Sequence, residues 1–187
     1  MTGLIPPGKW VVDPARSKLG FTVRHLTFRV VNGLVPVRAG EIVLAEDGRT
    51  AHASAELDLA GVDTGNPLRD DFIRSERFFD VERFPTVTYR SLTATPVGPH
   101  WFTTGELRIA ETAAPIGLRV TWGATARDRH GDLRGRLIAV GELRRRDLGI
   151  VIGGRVGDSA AVLGTKVRLR LDVQVVRPAE VFRAEGP

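Results

Sequence analysis

From Ala53 to Leu59 the chain reads Ala-Ser-Ala-Glu-Leu-Asp-Leu, so Ala53, Ala55, Leu57 and Leu59 project to one side while Ser54, Glu56 and Asp58 project to the other. A strict period of two is the mark of an extended strand with one dry face and one wet face. The pattern returns at Leu19/Phe21/Val23, Val87/Tyr89, Leu107/Ile109, Ile116/Leu118/Val120/Trp122 and Leu169/Leu171/Val173/Val175, and less cleanly over 41–44 and 136–143. Turn signals such as Glu46-Asp47-Gly48 and His130-Gly131-Asp132 separate these runs, and the 21 glycines and 11 prolines are scattered rather than clustered. The reading is all-β: eight or so antiparallel strands wet on one face. A sheet of that size must close or double over to bury its apolar side, so barrel and sandwich are both open. No linker or repeat divides the chain. It is expected to form one domain, 1–187, ordered over roughly 8–178 with a frayed tail beyond.

One stretch breaks the alternation, VDTGNPLRDDFIRSERFFDVERFP from Val62 to Pro85. Asn66 can cap a helix, Pro67 suits its first position, and Asp70 and Asp71 place carboxylates where the macrodipole favours them. A short helical segment is expected around residues 66–80, with Leu68, Phe72, Ser75 and Phe79 on one face as an apolar stripe that closes something. Asp63-Thr64-Gly65 is also the triplet with which acid proteases present a catalytic carboxylate. Those enzymes need two such loops, whereas this chain has one, and it runs into a helix cap rather than a buried strand.

Other chemistries find little support. The net charge of +5 comes from arginines dispersed along strands and turns, without the aromatic-basic pattern of a nucleic-acid-binding sheet. Absence of cysteine excludes disulfides, thiolate metal sites and cysteine nucleophiles. The four histidines, His25, His52, His100 and His130, lack metal-ligand spacing. His25 alone shares parity with Leu19, Phe21 and Val23, which aims it at the apolar interior or its rim. Arg144-Arg145-Arg146-Asp147 reads either as a solvated strand end or as an anion grip. No apolar run is long enough to span a bilayer, and the opening MTGLIPPGKW has neither a basic n-region nor an apolar h-region, so the expected location is the cytoplasm unless a longer precursor was trimmed.

WVVDPARSKLGFTVRHL from Trp10, the segment from Asp63 to Ser91, TTGELRIAE from Thr103 and LRRRDLGI from Leu143 together resemble the YceI-like family of polyisoprenoid-binding, lipocalin-like proteins. The resemblance runs through nearly the whole chain in the family's order. It implies an eight-stranded antiparallel barrel with the helical segment near an open end and an apolar pore inside. It also implies binding of isoprenoid chains, quinone-like lipids or fatty-acid derivatives without turnover, homodimers in several members, and export in many. The matching positions are Asp13, Ser17, Phe21 and His25, then Asp63, Thr64, Gly65, Arg69, Asp70, Ser75, Phe78, Phe79, Asp80 and Pro85. Two stretches depart from the family's pattern: Ala110 to Thr112, where a glycine is lost, and Arg144, which replaces an asparagine.

The expected function is therefore a soluble carrier or sequestering protein for a polyisoprenoid, an isoprenoid quinone or a similar long-chain amphiphile. The small inward residues Ala53, Ala55 and Ala124 suit an unfilled interior, although barrels also alternate sizes to pack their taper. Expected apolar lining is Phe21, Val23, Leu57, Leu59, Phe72, Phe79, Tyr89, Leu107, Ile109, Leu118, Trp122, Leu169 and Leu171. His25, with Arg24, Asn66 and Arg69, would meet the polar end. No cofactor, metal or nucleic acid is expected, and transient membrane contact and a homodimer are compatible. Two alternatives stand beside this one: a lipid isomerase or hydrolase using His25 as acid/base, and a filled barrel serving as an interaction module.

Overall fold

The computed structural model describes residues 5–25, 30–148 and 163–178; the tail expected to fray lies outside them. Nine antiparallel strands are present among these residues: β1 (Gly8–Val12), β2 (Lys18–His25), β3 (Val30–Leu44), β4 (Ala51–Asp58), β5 (Thr86–Val97), β6 (His100–Ile109), β7 (Thr112–Arg127), β8 (Leu133–Arg144) and β9 (Leu163–Arg177). Their order is β1-β3-β2-β9-β8-β7-β6-β5-β4, and β4 pairs back onto β3. The sheet closes into a barrel, and the sandwich alternative is excluded.

Nine strands make eight staves because β1 and β2 are halves of one. Both pair with β3 on one side and β9 on the other. Pro14 has no N–H to give the ladder, and residues 14–16 make a single tight turn between the halves. Asp13 and Ser17 repair the break: the Asp13 N–H donates to the Gln174 carbonyl at 2.8 Å, and the Gln174 N–H donates to Ser17 Oγ at 3.0 Å. Two positions that match the family thus serve the backbone.

The inward parity of each strand builds the core. Trp10 and Val175 are fully buried, and the Trp10 ring meets Trp122 edge-on with centroids 5.2 Å apart. Three inward aromatics, Phe21, Tyr89 and Trp122, lie across an inward glycine on the neighbouring strand. A β-carbon on Gly105 would stand 2.5 Å from the Tyr89 ring, and one on Gly135 would stand 2.8 Å from the Trp122 ring. Each glycine therefore supplies the room in which a ring lies flat against the wall. A register shift between Trp122 and Thr125 turns Ala124 outward, so it is exposed and not one of the small inward residues.

The helix α1 spans Pro67–Arg74, shorter than expected. Asn66 Oδ1 accepts from the Arg69 N–H at 3.1 Å, as the cap signal implies. The chain leaves the helix at Ser75, which is extended, and turns again at Asp80, with φ 48°. The helix faces the other way from the expected stripe: Leu68 is 83% exposed and Phe72 42%, whereas Asp70 is buried. Hydrogen bonding decides this. Asp70 Oδ1 accepts from the Thr64 N–H at 2.9 Å and from Thr64 Oγ1 at 2.5 Å, and that tie brings Ile73, not Leu68, against the core. Phe79 also reaches the core, and Phe78 bridges it to Phe72 through ring contacts.

The segment is stapled over one end of the barrel. Asp63 exchanges two backbone bonds with Leu34, and the Arg74 guanidinium donates to the carbonyls of Ala60 and Val62 at 2.9 and 2.8 Å. Beneath it Leu59, Val62, Val81 and Val87 are buried. The opposite end carries the β3–β4, β5–β6 and β7–β8 hairpins together with residues 5–8.

At the departure from the family pattern, Ala110 holds the β6–β7 hairpin with φ 50°, a region that a β-carbon disfavours. The hairpin forms without the glycine, with strain at that residue.

Candidate functional site

The barrel is packed toward α1 and hollow toward the hairpin end. A cavity of about 110 Å³ begins beside Trp10, Val37 and Leu118 and runs toward half-buried Ile5, Ala51 and Trp101. The hollow traces to one strand. Ala51, Ala53 and Ala55 project inward from β4 where other staves carry Ile42, Leu44 or Trp122, and Ala94 and Ala139 extend the void across the barrel. His52 and Ser54 alternate with these alanines on the outward parity of β4, and His52 is exposed.

No charged side chain lines the cavity among the described residues. Its inward hydroxyls are those of Tyr89 and Thr103, 3.0 Å apart, beside the indoles of Trp10, Trp101 and Trp122. Burial pushes the Tyr89 phenol above its ordinary pKa, and the Thr103 hydrogen bond offsets part of that, so Tyr89 stays neutral and protonated.

Of the expected lining, Tyr89, Leu118, Trp122 and Leu171 border this cavity. Leu57, Leu59, Leu107 and Leu169 are buried, and Ile109 and Phe79 pack against that core. Phe21 faces inward but lies over Gly33, whose β-carbon would stand 2.2 Å from the ring, and Val23 is half-buried opposite Val31 and Val167. Phe72 sits on the exposed face of α1.

The residues expected at the polar end do not border the cavity. Asn66 is occupied as the helix cap. Arg69 donates from Nε to Thr64 Oγ1 at 2.7 Å and from Nη2 to the Thr64 carbonyl at 2.8 Å, bracing the turn that Asp70 fixes. Arg24 is exposed opposite Val30, at the barrel end away from the hairpins. The backbone of His25 pairs with Leu163, and its side chain lies outside the described residues. Trp10, Trp101, Thr103 and Val120 border the cavity without having been foreseen. The inward parity of Leu107, carried back through Gly105 to Thr103 and Trp101, was the available signal.

Carboxylates fasten two hairpins around the open end. Asp47 accepts from the Arg49 and Thr50 N–H groups at 2.7 and 2.8 Å, and Asp128 accepts from Arg134 Nε at 2.7 Å and from the His130 N–H at 2.9 Å. Hydrogen bonds, led by Arg49 for Asp47 and by Arg134 for Asp128, hold both below the usual carboxylate range. A folded pKa below the unfolded one gives stability that is complete above the unfolded value, near 4, and lost as pH falls through the folded one. Thermal melts should therefore be level from neutral pH to about 5 and drop below about 4. The double variant Asp47→Asn/Asp128→Asn should melt lower at neutral pH and show a shallower acid drop. Circular dichroism melts across pH 3–7 check this, and an unchanged acid slope would refute it.

A family model described as the YceI-like domain matches residues 10–175. The chain belongs to the YceI-like family. Among curated relatives, protein YceI of Salmonella newport is 25% identical over 133 residues, covering 71% of this chain and 70% of that protein. The UPF0312 protein plu2095 of Photorhabdus laumondii is 23% identical, covering 69% of this chain and 68% of that one. Among solved structures, BcnA of Burkholderia cenocepacia superposes with a TM-score of 0.69 at 19% identity, over 87% of this chain and 98% of that chain. A domain from Saccharophagus degradans, described as polyisoprenoid-binding and implicated in plant cell wall breakdown, superposes with a TM-score of 0.62 at 13% identity, over 90% of this chain and 98% of that chain. At these identities the likeness shows a shared barrel. No helix among the described residues is long and apolar enough to cross a membrane.

Proposed function

We propose that this YceI-like chain binds the apolar portion of a polyisoprenoid or similar long-chain amphiphile inside its barrel, as a holder rather than a catalyst. The observation that carries this is the cavity wall: predominantly apolar, with no Asp, Glu, Lys or Arg lining it among the described residues, and with its polar groups confined to the Tyr89–Thr103 hydroxyl pair, the tryptophan indoles and the outward-turned His52 and Ser54. Such a wall rewards removal of an alkyl or prenyl chain from water, by roughly 25 cal/mol per Å². Its one imidazole, His52, is turned outward and exposed. The polyisoprenoid-binding description of the S. degradans domain points the same way.

The volume bounds how the chain sits. About 110 Å³ is well below the roughly 300–1,000 Å³ of pockets that swallow drug-sized ligands. It is nearer the roughly 150 Å³ of an apolar cavity that binds benzene. The cavity thus takes one end of a long ligand, and the remainder passes out between the hairpins. Filled-barrel packing describes only the half beneath α1.

Native mass spectrometry of protein purified without delipidation should show adducts of lipid mass. Added farnesol should quench tryptophan fluorescence, since Trp10, Trp101 and Trp122 all border the cavity. Bare protein mass in repeated preparations, with no quenching by prenyl alcohols, would overturn the reading.

A further inference from the structure

The Tyr89–Thr103 hydroxyl pair on the cavity wall carries an unspent hydrogen-bond donor. Tyr89 projects from β5 and Thr103 from β6, two positions before Gly105. The ladder pairs Tyr89 with Leu107 and Ser91 with Gly105, so the phenol must cross the sheet diagonally to reach Thr103. It does so because Gly105 has no side chain: a β-carbon there would stand 2.5 Å from one ring carbon of Tyr89 and 2.8 Å from another. The ring lies over that glycine and delivers its hydroxyl to Thr103 Oγ1 at 3.0 Å.

Two hydroxyls bring two protons, and their mutual bond uses one. Either Tyr89 or Thr103 donates to the other; the second proton has no acceptor among the described residues. Thr103 is 8% exposed, so bulk water does not readily serve it. A buried donor facing hydrocarbon is costly unless something accepts from it. Burial holds the Tyr89 phenol protonated, so the donor persists through the physiological range.

We infer that the Tyr89–Thr103 pair is a subsite for one uncharged carbonyl oxygen, carried on the part of the ligand that enters the cavity. This rests on the lipid-binding reading and narrows it to ligands such as ketones, amides, esters or ring carbonyls with an apolar body. A diphosphate does not suit the position. Its charge would need counter-charge that the wall lacks, and desolvating it there is prohibitive.

The probes are 2-undecanone and its isostere 2-methylundec-1-ene, in which a methylidene group replaces the carbonyl oxygen. Binding is read by tryptophan quenching in the wild-type protein and in Tyr89→Phe/Thr103→Val. Either single substitution leaves one hydroxyl free to donate, so the double variant is the decisive one. It should weaken the ketone about tenfold while leaving the alkene unchanged or tighter. Unchanged alkene binding also shows that the variant is folded. Infrared spectra of carbonyl-labelled ketone should show the carbonyl stretch lowered in the wild type and returned to its hydrocarbon-solvent position in the variant. Equal weakening of both probes, or an unshifted stretch in the wild type, overturns the subsite and leaves lipid binding standing. Failure of the wild type to take up either probe would overturn both.

Discussion

Replacing Ala53 by phenylalanine is expected to abolish ligand uptake and leave the fold intact. Ala53 pairs with Ile42 across the β3–β4 ladder and faces the void. The added ring is benzene-sized, and a void of about 110 Å³ approaches the roughly 150 Å³ known to hold benzene, so the substitution fills the space that a ligand would use. Adding bulk to a tight core costs about 1–3 kcal/mol in strain, but here the volume is already vacant. The melting temperature should therefore hold or rise, while prenyl-alcohol affinity falls at least about a hundredfold, a loss of about 2.7 kcal/mol. Fluorescence titration and thermal melts of the same sample separate the outcomes. Undiminished binding would mean that the ligand sits elsewhere.

Asp70→Ala should be the more damaging change to stability, although Asp70 touches no part of the cavity wall. Its buried carboxylate accepts from both the N–H and the hydroxyl of Thr64, and Thr64 in turn receives Arg69 through its hydroxyl and its carbonyl. Hydrogen bonds to a charged group contribute about 1.5–3 kcal/mol each, and the deletion leaves Thr64 donors unpaired. A loss of about 2–4 kcal/mol is expected. For a chain of this size that is a fall of several degrees in melting temperature, at about 2–4 °C per kcal/mol. Asp70→Asn keeps an acceptor and should fall between. Thr64→Val should add little on top of Asp70→Ala, because the two residues form one network. Urea unfolding checks this, and fully additive losses would show that the network is not a unit.

Inside and outside were legible along most of the barrel. Period two marks parity, and parity placed Leu57, Leu107, Leu169 and Tyr89 on the inner face. It carries no information about height along the barrel axis, so residues packed beneath α1 and residues bordering the void look alike in a strand pattern. The alanines were the better signal. Ala53 and Ala55 mark the hollow, while Ala124 misleads because the register shift after Trp122 turns it out. The helix was legible through its caps at Asn66 and Pro67, but its orientation was not. Apolar spacing favoured Leu68 and Phe72 as the inner face, and two hydrogen bonds from Thr64 to Asp70 outweigh it. Asn66 and Arg69 looked like head-group contacts for a related reason: a conspicuous polar residue near a pore also serves a turn, and both are occupied with backbone there.

The alanine ladder of β4 sets the depth of the hollow. Ala51 to Ala55 spans about 13 Å at the rise of an extended strand, and the next inward rung, Leu57, is a floor. Under the binding reading proposed above, only the part of a ligand that descends this distance would meet the wall. Moving the floor needs no redesign of the sheet: leucine at Ala55 raises it by one rung, and alanine at Leu57 lowers it by one. The depth of the hollow is in this way written into alternate positions of a single strand.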